Sequence, residues 1–221
     1  MMEMTEELIT LLAQELCGSL KFEFAGAPLD LTRPWRKFSF AQEIEKQYGI
    51  CPGDSVEEWA KKLSAKGVKL DVPAGKKLSR SWLLNFIAEL FEPASDGRPT
   101  FVVDYFAEFS PLAKSQPGKP EVADRFELFI GGMEVANAYT ELNDPIEQRK
   151  RLEAYADTAK EYSQTIDEDF LEALEHGMPP AGGLGIGIDR LSMLLTGQDS
   201  IRDVVLFPTL RPEASDEKAK H

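Results

Sequence analysis

Gly182-Gly-Leu-Gly-Ile-Gly-Ile-Asp-Arg-Leu191 is the stretch on which the fold turns, because it reads as a strand that becomes a helix. Leu184, Ile186 and Ile188 supply apolar bulk on one parity, while Gly183, Gly185 and Gly187 leave the other parity bare. Glycine weakens a strand, so three at period two predict that something lies close against the backbone. From Asp189 the period changes. Leu191, Leu194 and Leu195 recur at helical spacing until Gly197 ends the run. Arg190 therefore falls in the first helical turn, beside a positive helix end that favours an anion. A glycine-rich edge strand with a surface arginine is the plainer alternative. The spacing is not the dinucleotide-binding G-x-G-x-x-G, and no βαβ pattern surrounds it. No glycine-lysine-serine/threonine phosphate loop occurs in the chain.

The second chemical signal is the run 125–141. Gly131-Gly132 reads as a two-residue hairpin turn between alternating strands. Counting outward from it sets Phe129 opposite Glu134 and Glu127 opposite Ala136. Glu127 and Glu134 then lie diagonally on one face, within side-chain reach of each other. Two carboxylates converging on a face repel unless a cation or a proton sits between them. Oxygen ligands suit Mg²⁺ completed by water and phosphate. Two solvated glutamates and a glycosidase-like acid/base pair stay open on the residues alone.

Length and composition bound the rest. The chain has 221 residues, a formal net charge of -13 and two cysteines. That length fits one large domain or one domain with an insertion. Cys17 and Cys51 lack metal-ligand spacing and form no disulfide framework, which fits a reducing cytosol. Met1 opens an amphipathic stretch rather than a signal sequence, and no apolar run approaches the ~20 residues of a membrane span. A cytoplasmic protein is expected. The acidic balance argues against a nucleic-acid clamp, since phosphate contacts need clustered lysine and arginine. Lys61-Lys62, Lys76-Lys77 and Arg149-Lys150-Arg151 read as solvated helix faces.

Along the chain, helices are expected from Thr5 to Leu16, from about Phe40 to Gln47, after a cap at Asp54 or Ser55 as far as Gly67, and after a cap at Ser79 as far as Pro93. Asp144 caps a helix running to about Tyr162, and Asp167 caps a shorter one that ends at Gly177. Short strands are expected at Leu20–Phe24 and Leu29–Leu31, a buried strand at Thr100–Phe106, and a last strand at Val204–Phe207. Ser115 to Glu121 reads as a loop rich in proline and glycine. His176 reads as a helix C-terminal residue that engages the last carbonyls.

The glycine run resembles motif 3 of class II aminoacyl-tRNA synthetases. Arg125-Phe-Glu-Leu-Phe-Ile-Gly-Gly, Ala138-Tyr-Thr-Glu-Leu-Asn-Asp, Met178-Pro-Pro and Ile201-Arg-Asp-Val-Val-Leu-Phe-Pro resemble the lysine-specific enzyme of bacterial type. The likeness is strong from about Pro99 to Pro212 and looser before that. It implies an α+β fold: an antiparallel sheet flanked by helices, with a helical insertion at about 52–97. Residues 1–212 correspond to the C-terminal part of the catalytic domain, and 213–221 form a charged tail. It implies that a bent ATP lies on the bare face of Gly183, Gly185 and Gly187, with Arg190 on the γ-phosphate. Glu127 and Glu134 correspond to ligands of the magnesium that bridges the phosphates. Asn137, Tyr139 and Glu141 correspond to contacts to the amino acid, with Glu141 meeting the ε-ammonium. In a straight strand those three face away from Glu134. A bulge or sharp twist near Val135–Ala136 reconciles them.

The implied activity is ATP-dependent activation of lysine and its transfer to tRNA(Lys) by a full-length homodimer, with no membrane partner. Motifs 1 and 2 of the family have no counterpart in this sequence, so a weak or inactive isolated chain is expected. A relative that lysylates a protein, of the elongation factor P type, and a non-catalytic nucleotide- or amino-acid-binding module are the alternatives. The Ser110-Pro-Leu-Ala-Lys114 word recurs in the resembled family without a role that physics assigns.

Overall fold

The computed structural model describes residues 1–72, 78–91, 93, 96–158 and 166–208. Its centre is a five-stranded sheet in the order β3-β4-β7-β8-β9. These strands are β3 (Arg36–Ser39), β4 (Thr100–Val103), β7 (Arg125–Ile130), β8 (Met133–Thr140) and β9 (Gly182–Ile186). All neighbours are antiparallel except β3 and β4, which pair in parallel. The sheet is therefore mixed rather than antiparallel throughout. A parallel pair needs a long crossover. Here the crossover carries α2 (Phe40–Tyr48), α3 (Val56–Ala65) and α4 (Arg80–Glu89).

Local chemistry explains the helix ends. Ser39, Ser55, Ser79 and Asp167 each accept a backbone N–H from the first turn of the helix that follows. Ser55 and Glu58 complete a reciprocal capping box. Gly131 and Gly132 both take positive φ, 58° and 80°, as a two-residue primed hairpin turn requires.

One face of the sheet is dry. Phe101, Phe126, Leu128, Ile130 and Ala138 pack there against α1 (Met2–Cys17) and α7 (Ile188–Thr196). The hairpin of β1 (Lys21–Phe24) and β2 (Ala27–Asp30) closes that core with Phe24 and Leu29. The opposite face is divided. At β4, Val102 joins Phe40, Trp59, Leu83 and Ile87 of the crossover helices in a second core. At β7, β8 and β9 the same face is polar, and there the candidate site lies.

Several expectations change. The strand from Thr100 stops at Val103 instead of Phe106, because Asp104 takes φ 59° and turns the chain. Val204–Phe207 is not a strand: it follows a 3₁₀ turn at Ile201–Asp203, and Leu206 and Phe207 are 88% and 91% exposed. The proline-glycine segment forms a small hairpin of β5 (Ser115–Gln116) and β6 (Lys119–Ala123). Ile188 belongs to α7 and not to the glycine strand. The helix after Asp144 is α5 (Pro145–Thr158), and the one capped by Asp167 is α6 (Glu168–Glu175). The expected extension of α5 to Tyr162, the Lys76-Lys77 pair and the tail 213–221 lie outside the described residues. Among the described residues, no helix is long and apolar enough to cross a membrane.

Candidate active site

The site is a floor laid by β7, β8 and β9. Its register departs from the sequence expectation at one point. Phe129 pairs with Glu134 as counted, but Leu128 pairs with Ala136 and Glu127 with Asn137, not with Ala136. β8 therefore carries one extra residue at Val135, a β-bulge. Val135 and Ala136 both turn into the dry core. Beyond the bulge the parity is reversed, and the strand bends where the polar face begins.

This places the predicted residues together. Glu127 faces Asn137, which in turn faces Gly185. Arg125 faces Tyr139, which faces Gly183. Glu134, on the other side of the bulge, keeps the same face as Phe129 and Glu127. The bare glycine parity thus adjoins Asn137 and Tyr139, as a strand overlaid by a ligand requires. A Cβ built at Gly183 would collide with Oε1 of Glu141, so the glycine makes room for that carboxylate. At Gly185 the nearest atom to such a Cβ is the Asn137 carbonyl at 3.8 Å, and that stretch of floor is open.

Arg190 stands in the first turn of α7. Its Nη1 donates to the Glu134 backbone carbonyl at 2.6 Å and lies 3.5 Å from Glu134 Oε2. Glu134, Asn137, Gly185, Gly187, Asp189 and Arg190 border a cavity of about 320 Å³. That volume is of the order a small ligand needs. Glu127, Tyr139 and Glu141 lie on the same floor but do not line this cavity.

Glu127 is tightly held. Tyr105 Oη donates to its Oε2 at 2.6 Å, and Arg125 pairs with its Oε1. Burial, with the Glu127 charge second, pushes the Tyr105 phenol far up, so it remains a donor. The Arg125 guanidinium stacks over the Tyr105 ring at 5.0 Å. Burial, then the charge of Glu141, also raises the Tyr139 phenol. His176 sits at the end of α6, with Nδ1 2.8 Å from the Glu172 carbonyl.

Tyr105 and Arg125 are neighbours of Glu127 that the sequence reading did not single out. Arg125 was findable, because it shares strand parity with Glu127. Tyr105 was not, because the turn at Asp104 breaks the alternation ahead of it. Arg149 and Arg151 are also not merely solvated. Arg149 pairs with Glu168 on α6, and Arg151 donates to the Ala113 carbonyl at 2.7 Å.

The donors that Glu127 and Glu134 offer a cation are carboxylate oxygens. Each carboxylate has about four lone-pair sites, and each Glu127 oxygen accepts one donor, from Tyr105 or from Arg125, which leaves acceptor capacity on both. Among the described residues, no group of three or more His, Cys, Asp or Glu could hold a metal ion by itself. Two carboxylates without a full protein cage fit Mg²⁺ that retains water and takes phosphate oxygens.

Comparison with known proteins shows the family. The family model described as tRNA synthetases class II (D, K and N) matches residues 1–211. The chain belongs to this class II synthetase family. Relatives within it include proteins named lysine–tRNA ligase. That of Carboxydothermus hydrogenoformans is 48% identical over 96% of this chain and 44% of its own length. That of Nostoc punctiforme is 47% identical over 97% of this chain and 39% of its own. That of Synechococcus sp. (strain RCC307) is 46% identical over 99% and 44%. The chain spans less than half the length of the curated relatives it matches.

Proposed function

We propose that this chain supplies the ATP- and lysine-binding half of a lysine–tRNA ligase active site. The bulge at Val135 carries the reading, since it brings Glu127, Glu134, Asn137 and Tyr139 to one face beside bare glycines. The reaction is attack of the lysine carboxylate on the α-phosphate of ATP with release of pyrophosphate, then transfer of the lysyl group to tRNA(Lys). Such chemistry depends mainly on positioning and charge stabilisation.

In this reading the nucleotide lies over Gly183, Gly185 and Gly187, and Arg190 turns from Glu134 to the γ-phosphate. Glu127 and Glu134 hold the Mg²⁺ that, when bound, neutralises charge on the phosphates. Glu141 accepts from the ε-ammonium of lysine in a charge-assisted hydrogen bond. Tyr139 covers the aliphatic stem and Asn137 binds the polar end. Dimerisation and the grip on tRNA belong to the full-length enzyme. The net charge of -13 accords with tRNA being held chiefly elsewhere.

Two measurements test this. Mg²⁺-dependent ATP binding by the chain should fall at least about 10-fold in the Glu127→Ala/Glu134→Ala variant, since losing even an outer partner of a metal ligand typically costs that much. Parental affinity in that variant would remove the metal assignment. Exchange of pyrophosphate into ATP, if catalysed, should depend on lysine. Exchange supported equally by another amino acid would refute the lysine pocket.

A further inference from the structure

The Ser110–Lys114 segment is tied down through its backbone. Gln148, fully buried on α5, donates to the Pro111 carbonyl at 3.1 Å. The Leu142 amide donates to the Leu112 carbonyl at 3.0 Å, and the Lys114 amide to the Thr140 carbonyl at 2.7 Å. Arg151 donates to the Ala113 carbonyl at 2.7 Å and to Ser115 Oγ at 2.8 Å. Three of these ties come from α5 and two from Thr140 and Leu142, the residues on either side of Glu141.

What the immobilised segment presents is one hydroxyl. Ser110 is buried, and its Oγ accepts from Arg125 Nη1 at 2.6 Å. The other terminal nitrogen of Arg125, Nη2, pairs with Glu127 Oε1. The guanidinium is thus held by Ser110 at one prong, by Glu127 at the other and by the Tyr105 ring at its plane. Tyr105 Oη takes the remaining Glu127 oxygen. Both oxygens of the carboxylate are oriented by groups that are themselves fixed.

We propose that Ser110, acting through Arg125, is a positioning residue for the Glu127 carboxylate, and that the Ser110-Pro-Leu-Ala-Lys114 segment is anchored to keep it so. The proposal rests on Glu127 being a metal ligand. A ligating carboxylate is aimed by its outer hydrogen-bond partners, whose loss typically weakens metal binding about 10–100-fold. A bidentate guanidinium fork can bridge Ser110 and Glu127, whereas an ammonium offers a point charge without that geometry.

The test is the ratio of the ATP dissociation constant in EDTA to that in saturating Mg²⁺, measured on the full chain by equilibrium dialysis. Arg125→Ala would remove a positive charge from the metal's surroundings and mix two effects. Charge-conserving variants therefore decide. Ser110→Ala and Arg125→Lys should each lower the ratio about 10-fold or more, Ser110→Ala with affinity in EDTA unchanged, and Ser110→Thr should recover it. A role confined to folding would lower the thermal midpoint and weaken both affinities together. If Glu127→Ala abolishes the ratio while Ser110→Ala and Arg125→Lys keep the parental one, the positioning role is wrong and the metal assignment survives. If the parent itself shows a ratio of one, or keeps its ratio in Glu127→Ala, the metal assignment fails and takes this proposal with it.

Discussion

At the scale of single residues, the floor carries two carboxylate–guanidinium pairings, Glu127 with Arg125 and Glu134 with Arg190. They differ in burial. Arg125 and Glu127 are each 16% exposed at the side chain, whereas Arg190 and Glu134 are 49% and 38% exposed. An exposed pair is worth little by itself, so Arg190 can leave Glu134 for a phosphate at small cost. Arg125 cannot leave Glu127 without stranding a buried charge. Arg190→Ala should weaken Mg-ATP binding by about 1.5–3 kcal/mol, the usual worth of a hydrogen bond to a charged group, and leave the fold intact. Glu141→Gln should cost lysine binding by a similar amount and spare ATP. Titration calorimetry with each ligand checks both. A loss of ATP affinity in Glu141→Gln would mean that the two subsites are not separate.

At the scale of elements, the glycine strand and the helical crossover make opposite predictions. Gly185→Ala meets nothing closer than 3.8 Å in the protein. Its thermal midpoint should match the parent, while ATP binding drops because a methyl now occupies the floor. Gly183→Ala collides with Glu141, so it should impair the lysine response more than ATP binding. Equal effects of the two variants would show that the strand face is not divided between the ligands. In the crossover, Asp54 pairs with Lys62 at 2.5 Å and accepts from the Cys51 amide at 2.7 Å. Burial works against its charge, but these partners outweigh burial and hold its carboxyl below the ordinary value. A lowered folded pKa stabilises above the unfolded value and loses that stabilisation as pH falls through the folded one. The thermal midpoint should therefore decline below about pH 4, and less steeply in Asp54→Asn, whose midpoint is already lower at neutral pH. Identical pH profiles for parent and variant would remove Asp54 from the account.

At the scale of the whole molecule, one sheet separates chemistry from packing. Alternate residues of β7 serve the two sides: Phe126, Leu128 and Ile130 enter the dry core, and Arg125 and Glu127 enter the site. Leu128→Ala should cost about 2–5 kcal/mol of stability, seen as a lower denaturation midpoint. Near the parental fold, ATP affinity should change little, since Leu128 does not face the floor. The sequence by itself determined whatever depends on neighbours a few residues apart. The serine caps, the Gly131-Gly132 turn, the alternation of β7 and the change from strand to helix before Arg190 are all local, and all are legible. Sequence reasoning also required a bulge near Val135–Ala136, because parity otherwise split the site residues. Only the tertiary structure decided where the extra residue fell, since register is set by pairing with β7 and by burial of Val135 and Ala136 together. It alone paired β3 with β4 in parallel across a helical crossover. It alone brought Tyr105 and Ser110 to Glu127 through Arg125, contacts spanning 15 to 22 residues of chain. Such contacts follow from how elements stack and turn, and no periodicity along the chain encodes them.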